Sequence, residues 1–184
     1  GIIGIVSKKQ VVGRLINALE RLEYRGYDSA GVATISNFKI ACSKSTGKLI
    51  SLKKKLKNEE IDGCVGIGHT RWATHGEPTE TNAHPHVTKN VAMVHNGIIE
   101  NFAALKNDLQ GKGVSFNSQT DTEVVAQLVE RKISQDKCEP LEAVRLVVKQ
   151  LSGSFALCFI FRGTENLLIA TRRGSPLALG FGEE

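Results

Sequence analysis

The sequence predicts an α+β fold in which stacked β-sheets are covered by helices, and three observations support this. Strand-like apolar runs open and close the chain, and segments with helical periodicity lie between them. The 184 residues are enough for one domain with a full core. No internal repeat or low-complexity linker divides the chain. The order of strands, then helices, then strands favours stacked sheets over alternating βαβ units.

The first half of the chain alternates short strands with short helices. Apolar residues from Val11 to Leu22 recur at helical spacing, and a lysine-rich segment near 47–58 is predicted to form a second helix with an exposed basic face. A long polar loop is expected at 73–90. The predicted strands of this half, the first of them buried, are residues 2–6, 31–35, 38–44 and 64–72.

The second half contains predicted helices between strands. Asn96-Gly97 is expected to end a buried strand, 91–97, in a sharp turn. Thr120 and Glu123 have the spacing of a capping box, which predicts the start of a helix. The predicted helices of this half are residues 98–113, 120–133 and 139–151. The predicted closing strands are residues 154–161, 166–173 and 176–181.

The composition argues against several classes of protein. No apolar run approaches the roughly 20 residues that span a bilayer, and no signal peptide is recognisable, so we expect no membrane partner. The net charge is +5, but no stacking aromatics are interleaved with the lysines, which argues against a nucleic-acid partner. The four cysteines form no CxxC pair, so we interpret them as buried thiols in a reducing, cytoplasmic compartment.

The histidines are clustered in one part of the chain. All five fall within 27 positions, which at first indicates a metal site and a metal-dependent hydrolase. No two of them are four residues apart on a helix, and neighbouring acids are few, so the spacing suits metal ligation poorly. Polar loop residues that bond the backbone remain the alternative. The five are His69, His75, His84, His86 and His95.

Four residues have the chemistry to hold an amino acid. The planar guanidinium of Arg71 matches an α-carboxylate, although a structural ion pair would also explain it. Asp121 suits an α-ammonium, although it would also stabilise a helix dipole. Asn96 and Gly97 are either a turn or two donors for an oxyanion formed from a side-chain carbonyl. A nucleophile is missing from this set.

Several longer motifs carry a family resemblance. "RLEYRGYDSAG" (21–31), "HTRWATHGEP" (69–78), "NAHPH" (82–86) and "HNGIIEN" (95–101) closely resemble the N-terminal glutamine amidotransferase domain of glucosamine-6-phosphate synthases. The similarity extends through "TDTEV" (120–124) and "RRGSPL" (172–177), so it covers nearly the whole chain. Related amidotransferases that act on other substrates share the plan but not these forms of the motifs.

The resemblance implies a fold and a reaction. The fold is the four-layer αββα sandwich of N-terminal nucleophile hydrolases, and residues 1–184 are expected to form one glutaminase domain that is truncated at its C-terminal end. The domain hydrolyses L-glutamine to L-glutamate and ammonia. A sugar isomerase region beyond Glu184 would use the ammonia to convert fructose-6-phosphate to glucosamine-6-phosphate, and the full-length protein would be a homo-oligomer.

The resemblance also implies where the nucleophile lies. The family opens with a cysteine followed by glycine, C-G-I-x-G, and "GIIG" matches from the glycine onward. The nucleophile is therefore expected immediately before Gly1. Its own α-amine, with an ordinary pKa of about 7.7–8.0, would take the thiol proton, so no metal or other cofactor is needed. A glutamine-binding domain without catalysis is the alternative if the natural chain starts at Gly1.

The remaining roles are carried over by motif. Arg71 matches the group that holds the substrate carboxylate, and Asp121 the group that holds its amine. Trp72 matches the residue that gates the ammonia route. The residues matched to the substrate-side loop are Thr74 and His75. The residues matched to the catalytic machinery are Asn96, Gly97 and Arg25. The histidines matched to structural supports of the site are His84 and His95.

Overall fold

The computed structural model describes residues 1–72 and 76–182, and its elements form two antiparallel sheets with helices outside them. The strands are β1 Ile2–Val6, β2 Ser29–Ser36, β3 Lys39–Thr46, β4 Val65–Arg71, β5 His86–Val87, β6 Val91–Ile99, β7 Gly153–Phe161 and β8 Leu168–Arg173. The helices are α1 Val12–Glu20, α2 Leu49–Leu56, α3 Phe102–Gly111, α4 Asp121–Ser134 and α5 Pro140–Val148, with a short 3-10 turn at Glu23–Arg25.

Each sheet has four strands, and both sheets are covered on both faces. The first sheet has the order β1-β4-β2-β3 and the second β5-β6-β7-β8. Three apolar clusters separate four layers: α1 and α2 on the first sheet, the two sheets on each other, and the second sheet on α4 and α5. The four-layer αββα arrangement expected from the resemblance is therefore confirmed.

The alternation of side chains along single strands builds these clusters. On β2, Val32 packs toward the helices and Ala33 packs between the sheets. On β6, Met93 packs toward the helices and Val94 packs between the sheets. Successive side chains of a strand point to opposite faces, so a strand buried on both sides is apolar at nearly every position. This explains the continuous apolar runs in the sequence.

Strand β1 departs from the expectation of a buried strand. It lies at the edge of the first sheet, where it pairs with β4, and its residues alternate between partly buried and exposed. Val6 is 51% exposed. The apolar composition of this strand correctly predicted its conformation, but its edge position leaves it less buried than the central strands.

The predicted turn at Asn96-Gly97 is wrong. Strand β6 continues through both residues to Ile99, and Gly97 is opposite Phe155 of β7. Gly97 has a φ of +116°, and a Cβ there would lie 2.1 Å from the Ser154 carbonyl oxygen. The glycine is therefore required by a close strand approach, and α3 begins at Phe102 rather than at 98.

Helix α4 begins as predicted, but not with a capping box. Thr120 is the residue before the first helical turn, and its side chain makes no cap bond in the described structure. The Glu123 carboxylate instead accepts hydrogen bonds from the N–H groups of Asn117 (2.9 Å) and Ser118 (2.6 Å). The Glu123 carboxylate therefore holds the segment before the helix. In a capping box it would instead accept a hydrogen bond from the N–H of Thr120.

Two further differences concern the loop after β4 and the last residues. The short strand β5 forms inside the predicted loop 73–90, where it pairs with β6. Residues 176–181 form no strand in the described structure, and Phe181 is 94% exposed. Within the described ranges, no helix is long and apolar enough to cross a membrane.

Candidate active site

A cavity of about 350 Å³ opens where the apolar layer between the sheets ends. On β4, the residues facing the second sheet are Val65 and Ile67, and two positions further along the same face comes His69. On β6, the core residue Val94 is followed on the same face by Asn96. The cavity is therefore the polar end of the layer between the sheets, close to where α4 begins.

The cavity collects most of the residues predicted from the sequence, although they come from distant parts of the chain. The residues predicted to bind substrate or act in catalysis that line it are Arg25, Arg71, Trp72, Asn96, Gly97 and Asp121, and the two predicted supports His84 and His95 line it as well. Gly1 lies in the same wall. The two predicted loop residues, Thr74 and His75, lie outside the described residues.

Arg71 is the last residue of β4 and is buried in the cavity wall. Its guanidinium donates to the carbonyl oxygens of Gly76 (3.3 Å) and Glu77 (3.4 Å). Its contact with Asp28, 3.9 Å between Nη1 and Oδ1, is longer than a hydrogen bond. Burial lowers the pKa of Arg71, whereas the charges of Asp28 and Asp121 oppose this shift. An arginine side chain stays charged under all ordinary conditions, so the wall carries a fixed positive charge.

Asp121 supplies a negative charge to the same cavity. It is the first residue of α4, where a carboxylate is favoured by the helix dipole. Its Oδ2 accepts a 2.8 Å hydrogen bond from the Ile99 N–H, and its Oδ1 lies 3.9 Å from Nδ1 of His95. The helix-dipole role and a ligand role are compatible, because Oδ2 is used by the backbone whereas Oδ1 lies close to ring and hydroxyl groups beside the cavity.

Asn96 is held from the opposite sheet. Its Oδ1 lies 2.9 Å from Nε2 of His69. His69 is buried, and this burial lowers its pKa well below the usual range, with the amino group of Gly1 acting in the same direction. The imidazole is therefore neutral near pH 7. Sequence reasoning missed His69, although the alternation "VGIGHTR" places it on the face that carries Val65 and Ile67.

The other buried histidines bond to threonines of the α4 start. His84 Nε2 and His95 Nδ1 lie 3.0 and 2.9 Å from Oγ1 of Thr122. His86 Nε2 lies 3.0 Å from Oγ1 of Thr120. Burial is the largest cause that lowers the pKa of each, to about 3 for His86. These rings are neutral supports between β5, β6 and α4, and the threonines were not predicted to bond them.

The histidine cluster does not form a metal centre in the described structure. No group of three or more His, Cys, Asp or Glu side chains within residues 1–72 and 76–182 is arranged to hold a metal ion. The rings of His69 and His84 instead pack against each other, tilted by 32° and with centroids 4.4 Å apart. The close packing of the histidines therefore has a structural explanation.

Arg25, Trp72 and Gly1 also line the cavity. Trp72 is 67% exposed, and its ring lies so close to Gly26 that a Cβ there would be 2.2 Å from the ring. Arg25 Nε donates to the Tyr24 hydroxyl at 3.0 Å. The amino group of Gly1 donates to the Thr70 carbonyl oxygen at 2.7 Å. Burial and the Arg25 charge lower the pKa of this amine to about 6.

Sequence comparisons give a consistent assignment. The family model for a glutamine amidotransferase domain matches residues 69–182. The chain is 56% identical over 183 residues to the isomerizing glutamine–fructose-6-phosphate aminotransferase of Mesorhizobium japonicum, and 55% identical to that of Brucella suis. Each match covers 100% of this chain, which spans 30% of the length of these curated relatives.

Solved structures share the fold. Glutamine phosphoribosylpyrophosphate amidotransferase from B. subtilis superposes with a TM-score of 0.76 at 24% identity, over 88% of this chain and 35% of that one. A class-II glutamine aminotransferase domain protein from Silicibacter pomeroyi gives a TM-score of 0.55 at 17% identity, over 80% of this chain and 70% of the other. At these identities the likeness concerns the fold alone.

Proposed function

Because the chain belongs to the glutamine amidotransferase domain family, we propose that its cavity binds L-glutamine and hydrolyses the side-chain amide to L-glutamate and ammonia. The observation that carries this proposal is the convergence of Arg71, Asp121 and Asn96 on one cavity. A fixed cation and a carboxylate in one wall suit the two charges of a free α-amino acid. A carboxamide nearby suits the reacting carbonyl.

Binding rests on the two opposite charges. Arg71 holds the α-carboxylate through its two-pronged guanidinium, and Asp121 holds the α-ammonium through Oδ1. Both side chains are largely buried, at 6% and 10% exposure, so the contacts are screened little by water. Thr74 and His75 are proposed to cover the bound substrate, and Trp72 to gate the exit of ammonia; closing such a loop excludes water.

Catalysis needs donors for the oxyanion. When a nucleophile attacks the side-chain carbonyl, its oxygen becomes negative, and donors already in place stabilise that charge. We assign this role to the Asn96 amide and the Gly97 N–H. Gly97 continues strand β6 with a positive φ, and the side chain of Asn96 beside it is held by His69.

The nucleophile is proposed to be a cysteine joined to Gly1. A residue on the Gly1 nitrogen, which lies in the cavity wall, would begin inside the site. Its α-amine takes the thiol proton and its thiolate attacks the amide carbon to give a tetrahedral adduct. The protonated amine returns the proton to the amide nitrogen, the C–N bond breaks to release ammonia and leave a thioester, and water then hydrolyses the thioester to glutamate.

The activity of the whole protein is proposed from its relatives. The two relatives compared above are named as isomerizing aminotransferases that use glutamine and fructose-6-phosphate. This chain spans 30% of their length. We propose that a sugar isomerase region beyond Glu184 combines the ammonia with fructose-6-phosphate to give glucosamine-6-phosphate, in a homo-oligomer. All four cysteines are free thiols, which supports a reducing, cytoplasmic location, although only Cys158 is fully buried as expected and the other three are partly buried.

Three preparations test the nucleophile and the reaction together. The first starts at Gly1, the second carries one free cysteine ahead of Gly1, and the third keeps an uncleaved Met before that cysteine, each verified by intact mass. We expect glutamate release from the second alone, because the amide nitrogen in the third cannot accept a proton. Equal release from the second and third would refute the terminal-amine mechanism. Glutamate release from the first preparation would refute the assignment of the nucleophile to a cysteine before Gly1.

A further inference from the structure

The contact between His69 and Asn96 joins the two sheets at the cavity. His69 is on β4 of the first sheet and Asn96 on β6 of the second, and Nε2 lies 2.9 Å from Oδ1. His69 is 3% exposed, and its other ring nitrogen, Nδ1, is buried and makes no hydrogen bond of ordinary geometry, although a backbone group of His95 lies near the ring and acts to raise its pKa. One ring nitrogen is therefore committed to Asn96.

The bonding capacity of a neutral imidazole then fixes the direction of this bond. A neutral ring has one N–H donor and one acceptor nitrogen. A buried N–H without a partner is rarer in proteins than an acceptor that lacks one. The proton therefore belongs on Nε2, where it is used, and the lone pair on Nδ1. An N–H at Nε2 needs a hydrogen-bond acceptor, so it is the amide oxygen of Asn96, and not its NH₂ group, that faces the ring.

We infer that His69, in its Nε2–H form, is a positioning residue that turns the NH₂ group of Asn96 toward the reacting carbonyl. This deepens the proposed function and rests on it. If the proton were on Nδ1, Nε2 would accept from the amide NH₂, and the amide oxygen would face the developing negative charge. The same side chain would then repel the oxyanion. The tautomer of one ring thus decides whether Asn96 is a donor.

A double-mutant cycle in the full-length protein, with its free terminal cysteine, tests this coupling. H69L removes the donor at similar volume, and H69Q keeps an amide donor. We expect H69L to lower kcat about 10–100-fold, below the 10²–10³ typical of losing a whole donor, with KM within about threefold. H69Q should recover most of the loss. In an N96A background, H69L should change kcat by less than about threefold.

His86 provides a matched control for the cycle. It is a buried neutral histidine of the same cluster, but it bonds Thr120 rather than Asn96. We expect H86L to change kcat by the same factor in the Asn96 and N96A backgrounds. An H69L effect that is equally large in both backgrounds would overturn the inference, because His69 would then act by general support of the fold.

Neutron diffraction from the full-length protein gives a second test that does not depend on activity or on a folded variant. It locates deuterium and distinguishes amide nitrogen from oxygen. We expect deuterium on Nε2 of His69 and the oxygen of Asn96 facing it, and the reverse arrangement would overturn the inference. Absence of glutamate release from the unsubstituted protein would overturn the proposed function instead, and these results are distinguishable.

Discussion

The backbone N–H of Ile99 donates a 2.8 Å hydrogen bond to Oδ2 of Asp121, which joins the end of β6 to the first turn of α4. Both residues are buried. The bond fixes the proposed ammonium-binding carboxylate relative to the strand that carries Asn96. Asp121 therefore has a structural role through Oδ2, which bonds Ile99, and a proposed substrate-binding role through Oδ1. Different substitutions can remove one role or both.

Asp121→Asn is expected to weaken glutamine binding while preserving the fold. The asparagine oxygen can still accept from Ile99, but its NH₂ group then faces the substrate ammonium, and the charge is lost. A hydrogen bond between charged groups contributes about 1.5–3 kcal/mol, so we expect KM for glutamine to rise by about tenfold or more. Asp121→Ala should in addition lower Tm, because the Ile99 N–H loses its partner. Equal Tm values for the two variants would contradict the structural duty.

Arg71→Lys should raise KM for glutamine with little change in kcat. A lysine keeps the charge but cannot make the two-pronged contact with a carboxylate, and this contact is the same in the ground and transition states. We expect a rise of about tenfold or more in steady-state kinetics. Arg145→Lys, on the exposed surface of α5, is the matched control and should leave KM unchanged. An unchanged KM in Arg71→Lys would reject the assignment.

Asn96→Ala is expected to lower turnover rather than binding. The negative charge on the carbonyl oxygen develops in the transition state, so losing one donor typically reduces kcat by about 10²–10³. Asn101→Ala is the control, since this side chain bonds Gln150 and Ser152 outside the cavity. A kcat within a few-fold of the unsubstituted protein would leave Asn96 without a catalytic role.

Gly97→Ala should destabilise the protein. The new Cβ would lie 2.1 Å from the Ser154 carbonyl oxygen at a positive φ, so strand β6 has to move away from β7. Overpacking and backbone strain each cost about 1–3 kcal/mol, and we expect a loss of at least about 2 kcal/mol in urea unfolding. Gly13→Ala, in α1 with no atom within 4 Å of the new Cβ, should be neutral or stabilising. Similar stabilities of the two variants would disprove this account.

Stability should fall with acid between about pH 6.5 and 5, before most carboxylates titrate. The pKa values of His69, His84 and His86 are lowered by burial, so below pH 6.5 the unfolded chain binds protons that the folded chain does not. The free energy of unfolding therefore decreases as pH falls, by up to about 1.4 kcal/mol per pH unit for each histidine. Urea unfolding at several pH values measures this slope.

His86→Gln tests the contribution of one ring to that slope. Its pKa of about 3 in the folded protein means that His86 stays neutral throughout the window. Replacing it by a residue that does not titrate should reduce the slope by close to one proton. A slope that does not change would show that His86 takes up its proton equally in both states.

Much of this protein was determined by local sequence. Alternating and continuous apolar runs predicted seven of the eight strands found in residues 1–72 and 76–182, because burial on one or both faces of a strand selects apolar residues position by position. The helices followed from periodicity in the same way. Arg71, Asn96 and Asp121 could be selected because each has a chemistry that suits one part of an amino acid, and because long motifs around them resemble a known family.

The tertiary structure decided what depends on partners far away in the chain. Asn96-Gly97 has the composition of a turn, yet β7 pairs with it and continues the strand. Residues 176–181 have the composition of a strand, yet no described strand pairs with them. The bond between His69 and Asn96 joins residues 27 positions apart in different sheets. Hydrogen bonds between strands and between sheets satisfy groups that local sequence leaves open, so only the folded chain determines which residues meet.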